Sequence, residues 1–148
     1  MDKSRVHSFC RSLVEKRIHE LKQQLELLRS DAESEGKSTA GDKHETGRAM
    51  IQLEQEQLGK QLQEQEQLLA ALLQWSNAVP TTQVNSGSLV KTNNGYFYLA
   101  VGLGKITMDD QVLFVLSALS PLGKNLLSKK IGEQFTVNGV LYEVESIQ

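Results

Sequence analysis

The sequence predicts an α+β protein in two parts, an antiparallel helical hairpin followed by a small antiparallel sheet that wraps one short helix. Three observations predict it. Leucines and isoleucines recur at three- and four-residue steps through two long N-terminal runs. Pro80 and a Thr/Asn/Ser/Gly stretch then end the helical pattern. Short runs rich in Val, Tyr and Phe, punctuated by Asn-Gly pairs, fill the rest.

In the first run Val14, Ile18, Leu21, Leu25 and Leu28 step by four, three, four and three, which lays them along one side of a helix as a coiled-coil seam. Ile51, Leu58, Leu62, Leu69 and Leu72 form a second seam, with Gln55 and Gln65 at intervening seam positions where polar groups weaken packing but fix register. The Gly-bearing stretch STAGDKHETGRAM, 38–50, leaves room for the chain to reverse. With about thirty residues per arm, such a hairpin spans on the order of 45 Å. The first domain is therefore assigned to 1–76, a linker to 77–86 and the sheet domain to 87–148. Trp75, just before the linker, is expected to pack where the two parts meet. SLVKT, GYFYLAVGL, KITM, QVLFVLSA, QFTV and VLYEVESI read as strands, with turns at Asn93-Asn94-Gly95 and Asn138-Gly139, the second a tight hairpin. Before the last strand pair lies one helix, SPLGKNLLSKKIG, with Ser120 as its cap, Pro121 in its first turn, Lys129 and Lys130 at its carboxyl end and Gly132 as its stop.

Composition limits the function. The 148 residues carry a formal net charge of −2, with eleven basic and thirteen acidic residues before Pro80 and five of each after it. Neither part is the basic body of a protein that grips nucleic acid mainly by neutralising phosphates. No stretch has the length of a signal-peptide core or a membrane span, so a soluble cytoplasmic protein without a membrane partner is expected. The single Cys10 excludes an internal disulfide framework.

The residues that invite chemistry lie between the arms. Asp42 and Glu45 are hard oxygen donors suited to Mg²⁺; the same Asp-x-x-Glu spacing before a helical run is also a capping-box variant. His44 reads as a solvated histidine of the bend. Arg29, Lys37, Lys43 and Arg48 suit phosphates or an acidic partner, but Asp31, Glu33 and Glu35 are interleaved with them as on an ordinary solvated surface. GLGK at 102–105 lacks the spacing of a phosphate-binding loop and reads as a turn.

Taken together, the hairpin with GDKHE at its bend, the linker and the carboxyl-terminal LSALSPLGKNLLSKKIGEQFTVNGVLYEVESI resemble the Gre transcript-cleavage factors of bacterial RNA polymerase over nearly the whole chain. SPLGKNLLSKKIGE is similar to that family's serine-proline-(leucine or isoleucine)-glycine helix with its following lysine pair and glycine-acid step. Gly41, Asp42 and Glu45 match the family's tip, glycine-aspartate-leucine-serine-glutamate-asparagine, by type and spacing. Lys43 and His44 replace its leucine and serine, and Thr46, Gly47, Arg48 and Ala49 replace asparagine-alanine-glutamate-tyrosine. The resemblance implies a sheet domain with the fold of FK506-binding proteins (FKBP-like). It also implies a transcription elongation factor, expected to be monomeric and not itself an enzyme, that docks on RNA polymerase and passes its hairpin down the secondary channel. There Asp42 and Glu45 would help hold an Mg²⁺ ion shared with the polymerase's active centre, stimulating cleavage of backtracked RNA. The factor would meet the nascent RNA 3′ end indirectly and DNA only within the elongation complex. Ser120, Pro121, Gly123, Lys124, Lys129 and Lys130 are the implied docking residues.

Three other readings stand beside this one. A regulator can occupy the same channel without promoting cleavage. A prolyl isomerase needs a concave apolar pocket, whereas Tyr96 and Tyr98 share one strand face opposite Phe97 and read as core more than as an aromatic-lined pocket. A coiled-coil scaffold leaves the sheet domain without a role.

Overall fold

The computed structural model describes residues 1–36 and 41–148; residues 37–40 and the side chains of 35, 36 and 41–45 lie outside the described residues. The elements are α1 (Lys3–Gly36), α2 (Gly41–Leu73), β1 (Leu89–Thr92), β2 (Gly95–Leu99), β3 (Gly104–Met108), β4 (Gln111–Leu116), α3 (Pro121–Leu126), β5 (Gln134–Val137) and β6 (Val140–Ile147). The protein is thus α+β, with every expected strand present. Two compact units emerge, one of Leu13–Leu69 and one that joins Met1–Ser12 to Ala70–Gln148. The first turns of α1 therefore belong with the sheet, and compactness divides the chain elsewhere than composition does.

In the helical unit, Arg17, Leu21 and Gln24 share one hollow with Gln61, Glu64 and Gln65, while Gln24, Leu27 and Leu28 share another with Glu54 and Leu58. Numbers rise along one arm as they fall along the other, so the pair is antiparallel. Val14 and Ile18 are buried, and Leu21, Leu25, Leu28, Ile51, Gln55, Leu58, Leu62, Gln65 and Leu69 are half-covered. This is the expected seam, glutamines included. That stripe is partly withdrawn from water, while Leu27, Met50 and Leu53 stay exposed. The expected bend over 38–50 is corrected in one respect. The α2 backbone is already helical at Gly41, so Gly41, Asp42 and Glu45 lie in its opening turns, where carboxylates complement the exposed N–H groups of a helix start.

In the sheet unit six strands follow the order β3-β4-β2-β1-β6-β5. Four of the five pairings are antiparallel; β2 and β4 run parallel, which corrects the all-antiparallel expectation. The reason is topological. After Leu99 the chain passes over one strand position, about 9.5 Å from β2, to form the outer strand β3, then turns back to insert β4 in the gap. Asp109 and Asp110 make that return turn with φ of 51° and 61°, values that Asp tolerates better than most residues. The expected Asn138-Gly139 turn has φ of 50° and 77°, the twist-matched type for a two-residue hairpin.

Register sorts the side chains. Leu89, Tyr98, Val115, Leu113, Ile106 and Met108 share one face, and Val90, Phe97, Leu99, Phe114 and Leu116 share the other. The start of α1 meets the first face through a His7–Tyr98 hydrogen bond and an exposed Arg5–Asp109 ion pair. The second face packs around Val84, Val90, Phe97, Leu99, Leu126 and Val144. Along β4, Leu113 and Val115 are buried on the first face, while Val112 and Phe114 on the other remain exposed despite the apolar run.

Residues 77–86, expected as a linker, contribute to this core. Val84 is fully buried, its N–H donates to Lys129 O (2.8 Å), its carbonyl accepts from Ser128 N (2.8 Å), and Gln83 bridges to Lys130. Trp75 is half-buried beside Gly87 within the sheet unit. An added methyl at Gly87, whose φ is 88°, would stand 2.7 Å from Ala78 Cβ and 3.3 Å from the Trp75 ring, so Ala78 and the backbone conformation call for a glycine there. The helix α3 is shorter than expected. It ends at Leu126, and Ser128 turns into the left-handed region at φ 66°. Lys129 and Lys130 therefore follow the helix and do not complete its carboxyl end, because pairing with Gln83 and Val84 draws their backbone into extended geometry.

Candidate functional site

Two regions carry the expected chemistry, and they belong to different units. The first is the opening of α2. Gly41 begins the helix, and Asp42 and Glu45 follow within its first turns. Their side chains, with those of Lys43 and His44 and the whole of Lys37, lie outside the described residues. The donor set, two carboxylates, fits a hard cation such as Mg²⁺ and would not select a soft metal. Arg29, a candidate for phosphate contact, is committed to its own helix. Its guanidinium meets Glu26 at 2.6 Å and Glu33 at 3.5 Å, all three exposed. The Glu26 hydrogen bond, helped by the charge of each partner, holds that carboxyl below and the guanidinium above their ordinary ranges. Arg48 is exposed.

The second region surrounds α3. Ser120 caps the helix as expected, at φ −68° and ψ 157°, with its Oγ accepting from Gly123 N at 3.1 Å and donating to Ser117 O at 2.7 Å. Pro121 occupies the first turn, where a missing N–H costs nothing. Gly123 is buried, and a β-carbon there would lie 2.1 Å from Ser117 O. Of the six implied docking residues, Pro121, Lys124 and Lys130 are therefore exposed; Ser120 and Gly123 hold α3 in place; and Lys129 lies half-covered, its Nζ 5.8 Å above the Phe135 ring.

Beside α3 the structure opens a groove of about 340 Å³, lined by Asn94, Phe97, Phe114, Leu116, Leu122, Val140 and Tyr142. Its rings form a ladder. Phe97 stacks with Phe114 (centroids 5.7 Å) and meets Tyr142 edge-on (5.9 Å), which stacks on Phe135 (5.2 Å). Phe114 is 38% and Val140 42% exposed, so the rim is open to a partner. Phe97 and Tyr98 are core, as expected, and the groove beside them draws its other rings from elsewhere. Phe97 does oppose the tyrosines at 96 and 98, but β4 supplies Phe114 and β6 supplies Tyr142, residues far apart in sequence. Parity along QVLFVL separates Phe114 from Leu113 and Val115, but the β2–β4 register is what sets it on the Phe97 face.

Among the described residues, no group of three His, Cys, Asp or Glu side chains converges as a metal site, and no helix is long and apolar enough to cross a membrane. Comparison of the chain with protein-family models, with curated proteins and with solved structures returns no match.

Proposed function

We propose that this chain is a transcription elongation factor that docks on RNA polymerase through its sheet unit and presents the start of α2 to the polymerase's active centre, stimulating cleavage of backtracked RNA. The observation that carries the reading is the antiparallel helix pair whose returning arm opens on Gly41-Asp42-x-x-Glu45. A water-filled pore that excludes a globular domain admits two helices, each about 10–12 Å across. Asp42 and Glu45 would supply oxygen ligands to an Mg²⁺ ion that is otherwise weakly held; that ion, when bound, activates the attacking water of a two-metal hydrolysis. The sheet unit resembles an FKBP-like domain in this reading. Its exposed Phe114 and Val140, with Pro121 and Lys124 on α3, form the docking surface: an apolar centre with a polar rim.

The test is transcript shortening in stalled, backtracked complexes. Wild type shortens the RNA. Asp42→Asn with Glu45→Gln keeps polymerase binding and helix content but abolishes stimulated cleavage; undiminished cleavage by that double variant refutes the role of the acids. Binding without cleavage by the wild type supports the channel-occupying regulator instead. The aromatic groove favours one further reading, a prolyl-peptide site, which requires catalysed isomerisation of a proline peptide that Phe114→Ala removes.

A further inference from the structure

His7 sits on the α1-covered face of the sheet and is 8% exposed, between the fully buried Val6 and Cys10. Its Nδ1 lies 2.8 Å from Tyr98 Oη, whose residue is fully buried. The rings meet edge-on at 6.2 Å and 81°. Its other nitrogen, Nε2, is buried with no hydrogen-bond partner. A neutral imidazole tolerates this arrangement at the cost of one unmade hydrogen bond. An imidazolium does not, since Tyr98 accepts from one N–H while the other becomes a buried charged donor with no acceptor.

The groups around it are cationic, neutral or hydrogen-bonded elsewhere. From α1, Lys3 and Arg11 stand one turn before and after His7, both cationic. The Cys10 thiol on the same helix is kept neutral by burial, which pushes it up to about 12. From β2, burial raises the Tyr98 phenol above its ordinary value. The segment after α2 offers Trp75, Ser76, Ala78 and Pro80, none ionisable, around a cavity of about 320 Å³ that His7 also lines. Gln148, after β6, lines it as well, its carbonyl oxygen accepting from Leu89 N (2.9 Å) and its side chain held by Lys3 N and Met1 O. Asp2 lines that cavity too, but its carboxylate accepts from Ser4 N and Ser4 Oγ (3.2 and 2.6 Å).

We propose that the His7–Tyr98 pair is an acid-sensitive latch, which holds the start of α1 on the sheet while the imidazole is neutral and releases it when both ring nitrogens carry protons. Burial first, then Arg11 and Lys3, lower the His7 pKa from its ordinary 6.5. Below about pH 6.5 the unfolded chain therefore binds a proton that the native chain refuses. The latch is at full strength above that pH and weakens as pH falls, until the native ring itself titrates. For one proton, the unfolding constant rises by up to about tenfold per pH unit across this window.

The experiment uses the full chain. Histidine ring protons are followed by NMR against pH in the native and the urea-unfolded chain, and urea unfolding is followed through the single Trp75 from pH 7.5 to 5.5. His7 is expected to titrate lower in the native chain than in the unfolded one, and His7→Gln is expected to lose the wild-type pH dependence in this window. Native titration of His7 at or above its unfolded value overturns the proposal, as does an unchanged pH dependence in His7→Gln. Where that variant fails to fold, the NMR titration of the wild type alone decides.

Discussion

Replacing Gly123 by alanine is a direct test of how α3 is held. Judged by helix propensity alone, the change stabilises the protein by up to about 1 kcal/mol, because glycine loses more backbone freedom on folding than alanine does. Packing reverses the sign. The new carbon would stand 2.1 Å from Ser117 O, 2.9 Å from Ser120 Oγ and 3.0 Å from Ala118 Cα. Two of these are backbone atoms and cannot swing aside, and Ser117 O already accepts from Ser120 N at 3.1 Å and Ser120 Oγ at 2.7 Å. Relief requires α3 to shift outward, stretching the Ser120 cap and withdrawing the buried Leu126. Overpacking of this kind costs about 1–3 kcal/mol, and loss of the cap adds about 1 kcal/mol. Set against the propensity gain, the net destabilisation is about 2 kcal/mol. Gly59 supplies the control. It lies in the interior of α2 with nothing within 4 Å of an added β-carbon, so Gly59→Ala stabilises by about 0.5–1 kcal/mol. Urea unfolding of the two variants beside wild type measures both. A Gly123→Ala protein as stable as wild type refutes the close-packing argument.

Two further outcomes are expected. Gln65 Oε1 is buried in the hairpin seam with no hydrogen-bond partner, so Gln65→Leu raises thermal stability, by about 1 kcal/mol; lower stability by calorimetry would show that the amide is satisfied or needed for register. Burial pushes the Cys10 thiol up to about 12 and shields it, so a thiol reagent at pH 8 modifies the native chain only as fast as it opens, and at least about a hundredfold more slowly than the urea-unfolded chain; rapid native labelling contradicts this packing of α1.

The sheet's parallel pairing shows where sequence stops. GYFYL and QVLFVL read as strands because β-branched and aromatic residues fit a pleated surface, yet nothing local to either says that they lie side by side. That pairing depends on β3 passing to the outside edge, a choice made by the closed set of backbone hydrogen bonds. The linker teaches the same lesson. Pro80 and its polar neighbours end a helix by local sterics, but Val84 becomes core because Ser128 offers an N–H and Lys129 a carbonyl to its backbone. That same pairing shortens α3, whose lysines and glycine suggest a longer helix.

By itself the sequence determined the two long helices and their seams, down to Gln55 and Gln65, the six strands, both Asn-Gly turns and the Ser120 cap, since each rests on the period of a side-chain pattern or on the backbone preference of one residue. Only the tertiary structure decided that the start of α1 belongs with the sheet, that Gly123 is required by a carbonyl six residues earlier, and that Phe97, Phe114 and Tyr142 open a groove. Those features arise where distant segments converge, and the energy of a contact between them depends on ångström distances that no local pattern encodes.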